Sequence, residues 1–416
     1  MNVAVYDTPF KTYIYSDNKF KEVVYSLQFL LRLEANTTTL ANLLIAMMRD
    51  RSQKYPTKSE MIRVRDMLYG ARLQSQVRRF GESVLIQFNI TTIAAEFVEE
   101  PIAEEAIEFL AEILYHPLIN QETFAEAKNR LTSRLNRILE QPMRLAIDQG
   151  FKYFGEGTPV AYSSQGDLEQ IDQITLEDIL KFHQQLLASP VFSIVVGANE
   201  AKTTNKAFKK YFKQQPEINL DKVFYHMRPA SPRVLKIEKQ VNQANLVKFY
   251  STGIDVNEKD FTSLHMLSII LGQLPTSLLF QEVREKNSLT YSISSSLQSY
   301  DGMMMINTSL DSKDIDAANQ LIDQQLERIK QGDFDQNLLD GAMKMLESSF
   351  ASIEDDIYSI QNFIRTQIFT QSNFDIETHA QKYHQVTLPM IQTVAKQIHY
   401  LGEIQLVERS VNDENL

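Results

Sequence analysis

Phe124-Ala125-Glu126-Ala127-Lys128-Asn129-Arg130-Leu131 and Leu339-Asp340-Gly341-Ala342-Met343-Lys344-Met345-Leu346 are two versions of one helical stretch, the first starting at 124 and the second at 339. Ile174-Thr175-Leu176 and Val386-Thr387-Leu388 form a second pair at nearly the same separation. Self-similarity of this kind points to two copies of one folding unit. The elements around these landmarks repeat in the same order. In the first half, Tyr25, Leu27, Phe29, Leu31 and Leu33 alternate with Ser26, Gln28 and Arg32, which predicts a strand with one buried face. Asn36 and the threonines after it offer N-cap oxygens to a helix carrying Leu40, Leu43, Leu44 and Met47. Thr57 and Glu60 have the spacing of a capping box, and Gly70 closes that short helix. A hairpin with Val84, Ile86, Phe88 and Ile90 on its second strand follows. Helices are then expected over 102–115 and 122–139, with another behind Thr175 and a strand at 192–196.

The second half reads as a strand at 246–250, an apolar helix at 261–271 ended by Gly272, and a hairpin around Asp301-Gly302. Helices are expected over 317–329, 336–349 and 387–398. The fold class is α+β: two homologous domains, each a mainly antiparallel sheet covered by helices. The domains are expected at 1–220 and 231–416 with a linker at 221–230, in the polar region where Pro216, Pro229 and Pro232 cluster.

Composition narrows the function. The chain has 416 residues, 43% of them hydrophobic, enough for more than one core. With 53 acidic against 42 basic residues its net charge is −11, which argues against a nucleic-acid partner, since phosphate binding needs clustered Lys and Arg. There is no cysteine, so disulfides, thiolate zinc sites and cysteine nucleophiles are excluded. No apolar run approaches the roughly 18 residues of a membrane helix. The first residues show no basic segment followed by an apolar one, so no secretory signal is read and a cytoplasmic location is expected. Only the polar stretch 408–416 reads as disordered.

Three local stretches join this element order: Lys54-Tyr55-Pro56-Thr57, Gln165-Gly166-Asp167-Leu168-Glu169-Gln170-Ile171, and Leu278-Leu279-Phe280-Gln281-Glu282-Val283-Arg284-Glu285-Lys286 running on to Tyr291. Together they resemble the insulinase/pitrilysin (inverzincin) zinc metallopeptidases over roughly residues 10–405. The resemblance implies the processing-peptidase type of fold. Active members carry H-x-x-E-H on the first helix, where two histidines on one helix face bind zinc and the glutamate activates a water. A further glutamate on a later helix completes that site. Counting back from Lys54-Tyr55-Pro56-Thr57, Asn42 and Ala46 stand at the histidine positions and Ile45 at the base; counting back from Pro142, Arg134 stands at the distal glutamate.

Ile45 cannot take a proton, Ala46 has no ligand atom, and Arg134 repels a cation. No zinc and no other cofactor is expected, and the chain is not expected to be a peptidase on its own. The seven histidines form no H-E-x-x-H, and none pairs at i, i+4 with a carboxylate beside it. They read as structural or surface residues. So do the strand serines Ser292, Ser294, Ser295 and Ser296, the acidic run Glu354-Asp355-Asp356 (a solvated helix face), and the strand-core methionines Met303-Met304-Met305.

Arg284 and Tyr291 are kept. In the family, an arginine and a tyrosine at this spacing hold the substrate backbone and help the developing oxyanion, a task suited to a permanent forked cation and a phenolic donor. In two-subunit members one chain supplies zinc and the other supplies this pair. The resemblance therefore implies a bacterial-type non-catalytic subunit whose partner is a zinc-bearing paralogue and whose ligand is a peptide. The glycine-rich loop of mitochondrial processing-peptidase alpha subunits is absent, Leu271-Gly272-Gln273-Leu274-Pro275 standing there instead. The competing reading is a scaffold without a proteolytic role, as in the core subunits of respiratory complex III. An active homodimeric protease would need a metal site that the sequence does not offer.

Overall fold

The computed structural model describes residues 1–7, 9–100, 102–198 and 201–409, so most of the polar stretch 408–416 lies outside the described residues. The chain forms two compact units, and neither is continuous. The first comprises Met1–Asn136, Ser163–Val223 and Ala351–Asp375; the second comprises Arg137–Tyr162, Phe224–Phe350 and the chain from Ile376 onward. A single division at 221–230 therefore describes one of several crossings. Each half also gives a segment to the other unit.

The first unit is built on β1 (Val3–Tyr6), β2 (Thr12–Ser16), β3 (Glu22–Arg32), β4 (Arg72–Phe80), β5 (Ser83–Ile93) and β6 (Val191–Gly197). They lie in the order β1-β2-β6-β3-β5-β4, antiparallel except for β2 beside β6. The second unit has β7 (Arg233–Lys239), β8 (Ala244–Ser251), β9 (Thr290–Gln298), β10 (Met303–Leu310) and β11 (His399–Glu408), in the order β7-β11-β8-β10-β9. Only β7 and β11 are parallel there. Strand for strand the second sheet repeats the first, with β1 as the one addition. The repeat read from residues 124 and 339 is thus a repeat of topology.

Local signals work as the sequence says. Thr57 Oγ1 accepts from the Glu60 N–H, and Glu60 Oε2 accepts from the Thr57 N–H, which fixes the start of the helix Lys58–Met67. Thr175 and Asp178 do the same for Leu176–Ala188. Gly302, with φ +58°, makes the β9–β10 turn. Asn36, however, makes no side-chain cap; Thr37 Oγ1 instead accepts from the Glu34 N–H. The acidic run 354–356 is a turn and not a helix face, with Asp356 Oδ2 accepting from the Ser359 N–H to open the next helix.

The expectation of one buried face on β3 is wrong in an instructive way. Every residue from Val23 to Leu31 is buried, Ser26 and Gln28 included. The second face of this sheet is covered by the helix Ile357–Phe369, supplied from the far half of the sequence. That face is polar, so burial demands hydrogen bonds. Gln87 Nε2 donates to Gln361 Oε1 (2.7 Å) and to Asn89 Oδ1 (2.9 Å), and Gln28 donates to Ser26 Oγ (3.2 Å). The second unit mirrors this device with the helix Pro142–Phe154. Phe151 and Phe154 pack on the Phe249 ring of β8, and Gly150 lets that ring lie against the helix backbone.

Gly402 in β11 has φ +136°, and a Cβ there would sit 1.9 Å from the Arg233 carbonyl oxygen. Gly402→Ala should lower the denaturant midpoint of unfolding by the equivalent of about 2 kcal/mol or more, whereas Gly70→Ala, at φ +77° in open space, should cost about 1. Equal effects would refute the crowding argument. His265 donates to or accepts from the Tyr383 hydroxyl at 2.9 Å, and burial followed by nearby His379 pulls its pKa down to about 4. A group whose folded pKa lies below its unfolded value of about 6.5 costs stability as pH falls through that window. Stability should therefore drop between about pH 6.5 and 4, and His265→Gln should flatten that slope in denaturation curves. His183 and His379, lowered in the same direction by burial, will leave part of it.

Candidate functional site

The helix Thr37–Met48 is buried nearly all round, which locks the side chains on its free face. Asn42, Ala46, Arg49 and Asp50 follow at helical spacing along that face, and Arg130, Leu131 and Arg134 of the helix Gln121–Leu139 meet them across a pocket of about 280 Å3. Ile45, between Asn42 and Ala46 in sequence, is buried and is not among the residues lining that pocket.

Asn42 and Arg134, 92 positions apart in sequence, are brought together. Arg134 Nη2 donates to Asn42 Oδ1 (2.6 Å) and to the Gln165 carbonyl (3.1 Å). The Asn42 amide donates to the carbonyls of Thr38 (2.7 Å) and Ser164 (2.9 Å), so both ends of this side chain are engaged. The stretch 165–171 explains itself here. Gly166, at φ +94°, lies against Thr39, whose hydroxyl accepts from the Asp167 N–H and donates to Gln170. That clasp presents the Ser164 and Gln165 carbonyls to the pocket. Lys54-Tyr55-Pro56-Thr57 secures the other end of the helix: the Lys54 N–H donates to Glu112, and the Tyr55 ring packs on Phe109.

The electrostatics are those of a cation cluster. Asp50 accepts from Arg51 Nε and Arg130 Nη1, each at 2.8 Å, and Arg51 reaches Glu122 (2.8 Å) and Glu126 (2.9 Å). Burial works against the Arg51 charge, but Glu122, Glu126 and Asp50 outweigh it and hold the guanidinium above its ordinary pKa. Arg134 has no such compensation: burial alone depresses its pKa, and its Nε is buried without a hydrogen-bond partner. A zinc ion does not fit this donor set, which offers a committed amide oxygen, an alkyl chain, a methyl group and a cation.

Arg284 and Tyr291 belong to the second unit, on consecutive elements. Arg284 sits in a short wide-turned helix, Phe280–Lys286, with its guanidinium 4.4 Å from the Phe280 ring centre and its Nε 3.6 Å from Glu285. Tyr291, at the start of the edge strand β9, is 82% exposed. No hydrogen bond links the two among the described residues. The sequence did not reveal one further grouping. His226, Asp255 and Glu258 bring ligand atoms within 4.8 Å of one another, although Asp255 already accepts from the Asn257 N–H and from His226.

Comparison with known proteins bears on the fold and the family. Residues 173–346 match the Peptidase M16 inactive domain. A Bacillus subtilis protein named probable inactive metalloprotease YmfF is 23% identical over 384 residues, covering 90% of each chain. The crystal structure of a conserved protein from Enterococcus faecalis superposes with a TM-score of 0.92 at 24% identity, covering 99% of this chain and 100% of that one. A Pseudomonas fluorescens structure described as a peptidase M16 inactive domain gives 0.83 at 17% identity, covering 99% of both. The chain therefore has the M16-like peptidase fold along its length, and its residues 173–346 are similar to the Peptidase M16 inactive domain.

Proposed function

We propose that this chain is the non-catalytic subunit of a heterodimeric zinc peptidase, binding and orienting peptides for a paralogous partner that carries the metal. The observation that carries this reading is the Arg134–Asn42 hydrogen bond, which puts a cation and its acceptor on the positions that counting along the sequence assigns to two zinc ligands. The exposure of Tyr291 and of the Arg284 side chain on the second unit supports a contact role for that pair, because neither is needed to complete a core. The name of the Bacillus subtilis relative points the same way as regards activity.

The scaffold reading has one observation in its favour. Arg284 stacks on Phe280 and faces Glu285, as an ordinary surface arginine does. A pulldown from native extract that searches for a chain with H-x-x-E-H separates the two readings, since the scaffold role needs no such partner. Purified alone, the protein should hold no stoichiometric zinc by atomic emission and should cleave no peptide; chelator-sensitive cleavage by the isolated chain would end the proposal. With the zinc-bearing partner added, Arg284→Ala should lower turnover by about 3 kcal/mol of transition-state stabilisation, the scale of one lost oxyanion donor. Unchanged turnover in an Arg284→Ala, Tyr291→Phe double variant would remove both residues from the mechanism.

A further inference from the structure

The pocket between the helices Thr37–Met48 and Gln121–Leu139 has an unbalanced charge. Three arginines line it, Arg49, Arg130 and Arg134, against one carboxylate, Asp50, so the lining carries a net +2 within a chain of −11. Asp50 is spent on Arg51 and Arg130, both at 2.8 Å. Arg134 meets only neutral oxygens, the Asn42 amide and the Gln165 carbonyl, and its Nε is buried without a partner. Arg49 is exposed and, among the described residues, its side chain touches only the Ser75 hydroxyl, at 3.5 Å. A guanidinium partly withdrawn from water without a counter-charge, as at Arg134, is costly, and an arriving anion removes that cost; Arg49 adds a second, exposed cation beside it.

We propose that this pocket is a carboxylate receptor, in which Arg134 and Arg49 receive the free C-terminus or an acidic side chain of a bound peptide. The planar forked donors of arginine match the two oxygens of a carboxylate, and an opening of about 280 Å3 admits that group with the residue that bears it. A second opening flanks Arg49 and is lined by Gln74, Ser75, Gln76, Gln87 and Asn89, side-chain amides and a hydroxyl able to pair with peptide groups next to the anchored carboxylate. The choice of a peptide as the bearer rests on the function proposed above; the affinity for an oxyanion does not.

The test uses the purified full chain at fixed ionic strength and one short labelled peptide in three forms: free C-terminus, C-terminal amide without acidic residues, and the amide with a central glutamate. Fluorescence anisotropy should show one or both carboxylate forms binding about tenfold tighter than the neutral amide, and the form that gains identifies the source of the carboxylate. The advantage should vanish in Arg134→Gln and also in Arg49→Gln, which leaves the Asn42 bond untouched. Equal affinity for all three forms overturns the carboxylate site and leaves peptide binding standing. If no form binds, acetate and inorganic phosphate are titrated against the melting temperature. A rise in the wild type that is absent from both variants supports the anion site and refutes the peptide as its ligand, and no rise overturns the proposal.

Discussion

In β3 every residue from Val23 to Leu31 is buried, and in β8 every residue from Ala244 to Ser251, so each sheet must be covered on both faces. Helices close in sequence cover one face of each. The other face is covered by a helix from the opposite half of the chain: Ile357–Phe369 in the first unit and Pro142–Phe154 in the second. A unit cut from residues 1–220 would expose Ser26, Gln28, Gln87 and Asn89 as a bare polar stripe, and one cut from 231–416 would expose the Phe249 ring. Completing either core thus requires both halves, and this constraint holds the long helices rigid.

The site inherits that rigidity. The helix Thr37–Met48 is packed so fully that Asn42 and Ala46 have one direction to face, and the clasp of Thr39 on the 165–170 stretch fixes the carbonyls above them. In such a frame the side chains at 42 and 134 are chemically coupled. A guanidinium at 134 needs an acceptor at hydrogen-bonding distance, which Asn42 Oδ1 supplies at 2.6 Å; a histidine at 42 would meet that cation with an N–H donor or a single lone pair. The pair has its own hydrogen bonds, and its unused donor, the Arg134 Nε–H, suits an anion and not a metal.

Much of the fold was legible because its signals are local. The hairpins, the Thr57–Glu60 capping box, the Met303–Met305 strand and the repeat itself depend on spacings of a few residues or on plain self-similarity. What escaped depends on distant partners. The helix Ile357–Phe369 is buried on most sides and shows no clean stripe, and β7 is too exposed to alternate convincingly. The two buried faces of β3 imitate one buried face, because Ser26 and Gln28 look like solvent residues until Gln361 and its neighbours are set opposite that sheet. At the site, counting from Lys54-Tyr55-Pro56-Thr57 and from Pro142, together with the family resemblance, grouped Asn42, Ile45, Ala46 and Arg134, but nothing in the sequence shows that Arg134 will bond Asn42 or that His226 will meet Asp255.

Charge makes the same point about scale. A net −11 argues against a polyanionic partner in bulk and says little about one pocket, because at physiological salt a charge is felt over only about 8 Å. Within that radius the Arg49–Arg130–Arg134 lining sees Asp50 as its nearest carboxylate, and Glu122 and Glu126 are held by Arg51 and Lys58. An acidic peptide is therefore repelled weakly at a distance and attracted strongly at contact. That combination favours selection by the terminal or side-chain carboxylate over indiscriminate capture of negative chains.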